Sequence, residues 1–102
     1  MIRNILIANR GEIAARISRT CKAMGVKVIA VYSDADKNAL HVREADKSIH
    51  LGESLAEKSY LNYKKLIKIA LENNVDAVHP GYGFLSENPD FAKALKKNNI
   101  KF

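Results

Sequence analysis

The sequence predicts an α/β domain built on a mostly parallel sheet of five strands in the order 3-2-1-4-5, with helices on both faces. Three observations carry this. Short apolar runs alternate with stretches of helical periodicity. The strand-like runs are rich in Val and Ile and are apolar on successive residues, as strands buried on both faces must be. The chain has 102 residues, of which 47% are hydrophobic, enough to close a single core and too few for two ordinary domains.

The first run, Ile5-Leu6-Ile7-Ala8, is broken by the polar Asn9-Arg10-Gly11-Glu12. In the helix that follows, Ile13, Ile17, Cys21 and Met24 form one stripe and Glu12, Arg16, Arg19 and Lys22 another, with Gly25 as its C-terminal cap. Val26 to Tyr32 reads as the second strand, ended by Ser33-Asp34-Ala35-Asp36. Residues 37–46 carry a short helical signal around Leu40 and Val42. Ser48 to Leu51 is a short third strand closed by Gly52, and residues 53–59 read as a surface loop. Asn62 caps the next helix, which turns Tyr63, Leu66, Ile67, Ala70 and Leu71 inward and ends at Asn73-Asn74. Val75 to His79 is the fourth strand, and Pro80-Gly81-Tyr82-Gly83 a loop. Asn88-Pro89 starts a last helix, with Phe91, Ala92 and Leu95 inward. Ile100 to Phe102 opens a fifth strand. A pattern ending at an apolar residue inside a strand reads as part of a longer protein; a small domain whose last strand ends there is the alternative. There is no internal repeat or linker, so residues 1–102 are read as one domain.

Composition excludes several classes. No apolar run approaches the ~18 residues of a membrane span, and Arg3, Arg10 and Glu12 interrupt any signal-peptide pattern. A single cysteine, Cys21, rules out an internal disulfide and a multi-cysteine zinc site, and suits a reducing cytoplasm. Seventeen basic residues against eleven acidic give a net charge of +6, which raises the prior for anionic partners. The lysines, however, fall at outward helical positions, and no aromatic-plus-basic motif accompanies them, so no nucleic-acid partner is expected.

In open parallel sheets, ligands bind beyond the carboxyl ends of the strands, where strand order reverses. Here that places a site between the loops Asn9–Glu12 and Pro80–Glu87. The first loop does not suit a dinucleotide. Only Gly11 stands where the fingerprint needs three glycines, and Glu12 sits at the helix start, where its carboxylate satisfies the dipole and repels a phosphate. Without those glycines, Asp34 and Asp36 read as turn residues rather than ribose-binding acids. In the second loop two glycines flank Tyr82, which either presents its ring in a fixed loop or folds it back on the domain; His79 reads as a strand-end histidine.

Ile7 to Ala14 (IANRGEIA) and His79 to Asn88 (HPGYGFLSEN) resemble the two signature stretches of the biotin carboxylase N-terminal domain. Tyr32–Asp36, His41-Val42, Ala45-Asp46 and Lys58–Asn62 fit between them in order and spacing, so the resemblance covers essentially the whole chain. It implies a Rossmann-like domain ahead of an ATP-grasp fold. The enzyme so formed uses ATP and magnesium to activate bicarbonate as carboxyphosphate and carboxylates biotin on its carrier protein, serving acetyl-CoA, propionyl-CoA, methylcrotonyl-CoA or pyruvate carboxylases. Its partners are then the downstream ATP-grasp and C-terminal domains, the biotin carboxyl carrier protein and a carboxyltransferase. The resemblance places most ATP, metal and bicarbonate ligands beyond Phe102; no catalytic or metal residue is assigned in this chain, which alone is expected to be inactive and to hold no cofactor tightly. It implies that Tyr82, followed by Gly83, lies beside the biotin ring and that Glu87 borders the active site. Arg19 matches a homodimer-interface position; position 23, acidic in a bacterial member, is Ala23 here, which removes an ion pair from that contact. The alternative is a free-standing module binding a nucleotide or a protein.

Overall fold

The computed structural model describes residues 2–102. Four parallel strands, β1 (Asn4–Ile7), β2 (Lys27–Ser33), β3 (Lys47–Gly52) and β4 (Ala77–His79), form one sheet in the order β3-β2-β1-β4. Alternation along β1 divides the core in two. Leu6 and Ala8, with Ile29 and Val31 of β2, pack beneath α3 (Tyr63–Glu72) and α4 (Pro89–Lys97). Ile5 and Ile7, with Val28 and Ala77, pack beneath α1 (Gly11–Ala23). A short α2 (Leu40–Glu44) follows β2, and 3-10 turns occupy Asp34–Asp36 and Ala56–Lys58.

The fifth strand is not formed. Lys101 makes a single parallel bridge to Ala77, so the sheet has four strands in the order 3-2-1-4, not five in the order 3-2-1-4-5. Asn98 and Asn99 are consumed by the end of α4, which leaves only Ile100 to Phe102 to run beside a three-residue β4. The turn that consumes them recurs. Val26 N donates to Cys21 O, Val75 N to Ala70 O and Ile100 N to Leu95 O, closing α1, α3 and α4 with the same motif. The residue at the left-handed position of each turn is Gly25 (φ +77°), Asn74 (φ +52°) or Asn99 (φ +60°), the residue types that tolerate it.

The predicted caps are present: the Asn62 side chain accepts from Lys65 N at 3.2 Å and Asn88 from Phe91 N at 2.9 Å. Two inward faces differ from expectation. On α1 the fully buried residues are Ala14, Ala15 and Ser18, while Ile17 and Cys21 of the larger stripe are half-buried against the same core and Met24 is 74% exposed. Small side chains let the helix axis approach the sheet, so size did not mark the buried face. On α3, Ile69 is buried and Leu71 exposed. Phe91 and Leu95 of α4 are fully buried, and Ala92 is half-buried.

Candidate functional site

The chain leaves β1 for β2 and β3 on one side and returns to β4 on the other, so the loops after β1 and β4 meet at the reversal of strand order. Ala8 N donates to His79 O at 2.9 Å and carries the pairing one step past both strands. Beyond it lies a crevice of about 440 Å³ lined by Asn9, Arg10, Glu12, Tyr82, Gly83 and Phe84.

Asn9 is 3% exposed. Its Nδ2 donates to Pro80 O at 2.9 Å and to Tyr82 O at 2.7 Å, while its Oδ1 accepts from Arg10 N at 2.8 Å. Gly81, between the two carbonyls, has φ +68°, and a Cβ there would lie 2.7 Å from Asn9 Nδ2. Glycine meets both the conformation and the close approach.

Arg10 is held from the turn that follows the neighbouring strand, β2. Its Nε and Nη2 donate to Asp36 Oδ2 and Oδ1, each at 2.6 Å, as a bidentate pair. The Tyr60 hydroxyl donates to Asp36 Oδ2 at 2.7 Å and accepts from Ser33 N at 3.2 Å, and Ser33 Oγ donates to the same carboxylate at 3.3 Å. The Arg10 guanidinium, aided by Tyr60 and Ser33 and opposed by burial, brings the Asp36 carboxyl down to about 2. Burial, then the Asp36 hydrogen bond, pushes the Tyr60 phenol up to about 12. The Tyr60 ring stacks on Phe84, with centroids 5.1 Å apart and planes at 27°. A closed circuit of contacts thus ties the crevice's lining residues together, running from Arg10 through Asp36 and Tyr60, which do not line it, to Phe84, the Tyr82 loop, Asn9 and back to Arg10.

Tyr82 is 70% exposed, which places it outside the core. Its ring stands between the crevice and a second, apolar concavity of about 510 Å³ lined by Ile13, Ile17, Cys21, Met24 and His79. His79 is a strand-end histidine whose Nδ1 accepts from Gly81 N at 3.0 Å. Glu87 is exposed, and the residues lining the crevice do not include it. Arg19, on α1, already faces Glu44 at 3.5 Å and Glu12 at 3.9 Å within the same chain. Ala23 is exposed at the end of that helix.

Spacing alone did not reveal Asp36 as the partner of Arg10, nor Tyr60, which directly follows the stretch 53–59 read as surface loop. Asp36 holds Arg10 and Tyr60 stacks on Phe84, so both brace side chains that line the crevice. The visible signal was an arginine in the polar break after β1 and two aspartates after β2, the neighbouring strand. His41 was also missed: it is 2% exposed, its Nε2 donates to Val31 O at 3.1 Å, and burial lowers its affinity for a proton.

The family profile described as "Biotin carboxylase, N-terminal domain" matches residues 1–102. The chain belongs to this family. Biotin carboxylase 1 of Bacillus subtilis is 50% identical over 102 residues, all of this chain and 23% of the relative. The mitochondrial methylcrotonoyl-CoA carboxylase subunit alpha of Dictyostelium discoideum is 55% identical over 101 residues, 99% of this chain and 14% of the relative. Among solved structures, the Kluyveromyces lactis urea carboxylase superposes with a TM-score of 0.95 at 49% identity, covering 97% of this chain and 9% of that one. This biotin carboxylase N-terminal domain therefore spans a quarter or less of these relatives. No helix among its described residues is long and apolar enough to cross a membrane, and no three His, Cys, Asp or Glu side chains among them gather to hold a metal ion.

Proposed function

We propose that residues 1–102 form the N-terminal domain of a cytoplasmic biotin carboxylase, which uses ATP, magnesium and bicarbonate to carboxylate biotin on its carrier protein. The observation that carries this domain's part is the exposed ring of Tyr82, set between two glycines on a braced loop at the reversal of strand order. The flat ureido ring of biotin needs an apolar wall, and Tyr82 with Gly83 supplies one. Glu87 stands further along the same loop as a border residue. The chain's own residues act by binding and orienting biotin, not by moving its protons. Magnesium-bound ATP supplies the activation of bicarbonate when bound, through ligands we assign to downstream ATP-grasp and C-terminal domains. We further propose that a carboxyltransferase takes the carboxyl group onward and that Arg19 contributes to a homodimer contact.

Tyr82→Ala in the full-length enzyme is expected to raise the KM for free biotin roughly fivefold to tenfold, as befits an aromatic contact of about 1 kcal/mol. Melting should change little, because the ring is exposed. An unchanged KM, or a large fall in melting temperature, rejects the reading. The 102-residue chain alone, given ATP, magnesium, bicarbonate and free biotin, is expected to release no phosphate above background. Turnover by a preparation free of contaminating enzymes would overturn that expectation.

A further inference from the structure

We infer that Asn9 is a positioning residue that sets where Tyr82 stands, an inference resting on the reading of Tyr82 as the wall for biotin. β4 ends at His79, so no sheet ladder holds the loop that follows. The loop's own hydrogen bonds are few: Gly81 N to the His79 side chain at Nδ1, Ser86 N to Gly83 O and Asn88 N to Leu85 O. None of them fixes the carbonyls on either side of Gly81. Asn9 does, spending both protons of one amide on Pro80 O and Tyr82 O. Tyr82 is thus gripped at its own backbone while its ring stays free.

The grip has a rigid base. Asn9 lies two residues past the central strand, behind Ala8, whose N–H still pairs with His79 O, and its neighbour Arg10 is clamped to Asp36 in the turn that follows β2. The position of β2 is thereby passed through Arg10 and Asn9 to the loop beyond β4. The chemistry requires an amide. A carboxylate of the same shape has no proton to give and would set its oxygens against two carbonyl oxygens, and alanine leaves both carbonyls without this donor.

The test is made in the full-length biotin carboxylase with Asn9→Asp, Asn9→Ala, Tyr82→Ala and the Asn9→Asp/Tyr82→Ala double variant. KM and kcat for free biotin are measured, together with hydrogen exchange at Gly81 and Ser86. Asn9→Asp should raise the KM about as much as Tyr82→Ala does, roughly fivefold to tenfold, with a smaller change in kcat. Exchange at the two loop amides should quicken roughly tenfold or more, as expected when two ordinary hydrogen bonds are lost. In the double variant the KM should rise no further, because Asn9 acts through Tyr82. If Asn9→Asp does not fold, Asn9→Ala carries the same expectations. Additive effects on KM, or unchanged loop exchange, overturn the inference. A KM that responds to Tyr82→Ala but not to the Asn9 variants overturns the inference and leaves the biotin reading intact. A KM indifferent to Tyr82→Ala overturns both.

Discussion

Asp36→Ala is expected to destabilise the 102-residue domain by about 3 kcal/mol at neutral pH. The carboxylate is 5% exposed and receives Arg10, Tyr60 and Ser33 together. Removing it leaves the buried Tyr60 hydroxyl without its acceptor and Arg10 without its counter-charge. The arginine side chain is 49% exposed and can turn to water, which keeps the loss near the lower end for broken buried pairs. The same carboxylate makes stability depend on pH. Its folded pKa, about 2, lies below its ordinary 3.8, so the unfolded chain binds the proton more tightly. The stabilisation is complete above the ordinary value and is lost as pH falls through the folded one. About 2 kcal/mol should disappear between roughly pH 4 and pH 2. His41 adds an earlier loss in the same direction: buried as the neutral form, it opposes folding once pH falls below its ordinary 6.5. Denaturant titrations of both proteins across this range check the account. The Asp36→Ala chain should lack the acid-most component and keep the His41 component. A stability loss below about 1 kcal/mol at neutral pH, or an unchanged acid limb, would show that the cluster does not brace the fold.

Gly81→Ala is expected to displace the Tyr82 loop while leaving the sheet in place. A side chain at φ +68° carries the left-handed penalty of ~1–2 kcal/mol. Its Cβ would also meet Asn9 at 2.7 Å from Nδ2 and 3.2 Å from Cβ and Cγ, so the whole asparagine side chain must yield rather than its tip alone. Together these add roughly 2–4 kcal/mol to the observed loop conformation and make it a minor state. The core packed around Phe91 and Leu66 lies elsewhere, so the melting temperature should fall less than for Asp36→Ala. Limited proteolysis should cut near Tyr82 faster, and the KM for biotin in the full-length enzyme should rise at least as far as in Tyr82→Ala. A loop that resists protease as the parent does would show that Asn9 and Gly81 are not tightly opposed.

Most of the fold was legible in the sequence because its signals are local. An apolar run such as Ile5–Ala8 has to be buried on both faces, and Asn62 and Asn88 mark helix starts through bonds to residues three positions on. Gly25 and Asn73-Asn74 mark helix ends by backbone conformation alone. The resemblance of the loops after β1 and β4 was likewise readable as uninterrupted strings, and the alternation of elements placed those loops together. The fifth strand failed because pairing depends on a neighbour: three residues of β propensity found a partner too short to extend a ladder. On α1 the apolar stripe found Ile17 and Cys21 but not the fully buried Ala14, Ala15 and Ser18, because residue size marks how much apolar surface a side chain carries, not how closely a helix can approach a sheet. The frame of the crevice was beyond any local reading. Arg10 and Asp36 lie 26 positions apart, Asp36 and Tyr60 24, and Asn9 and Tyr82 73. The sequence by itself determined the class of fold, four of its strands, its main helices, the family and the loop that carries Tyr82; that the ring stands exposed came from the structure. Only the tertiary structure decided which arginine meets which aspartate and which amide grips that loop, because those bonds are set by where β1, β2 and β4 end side by side in space.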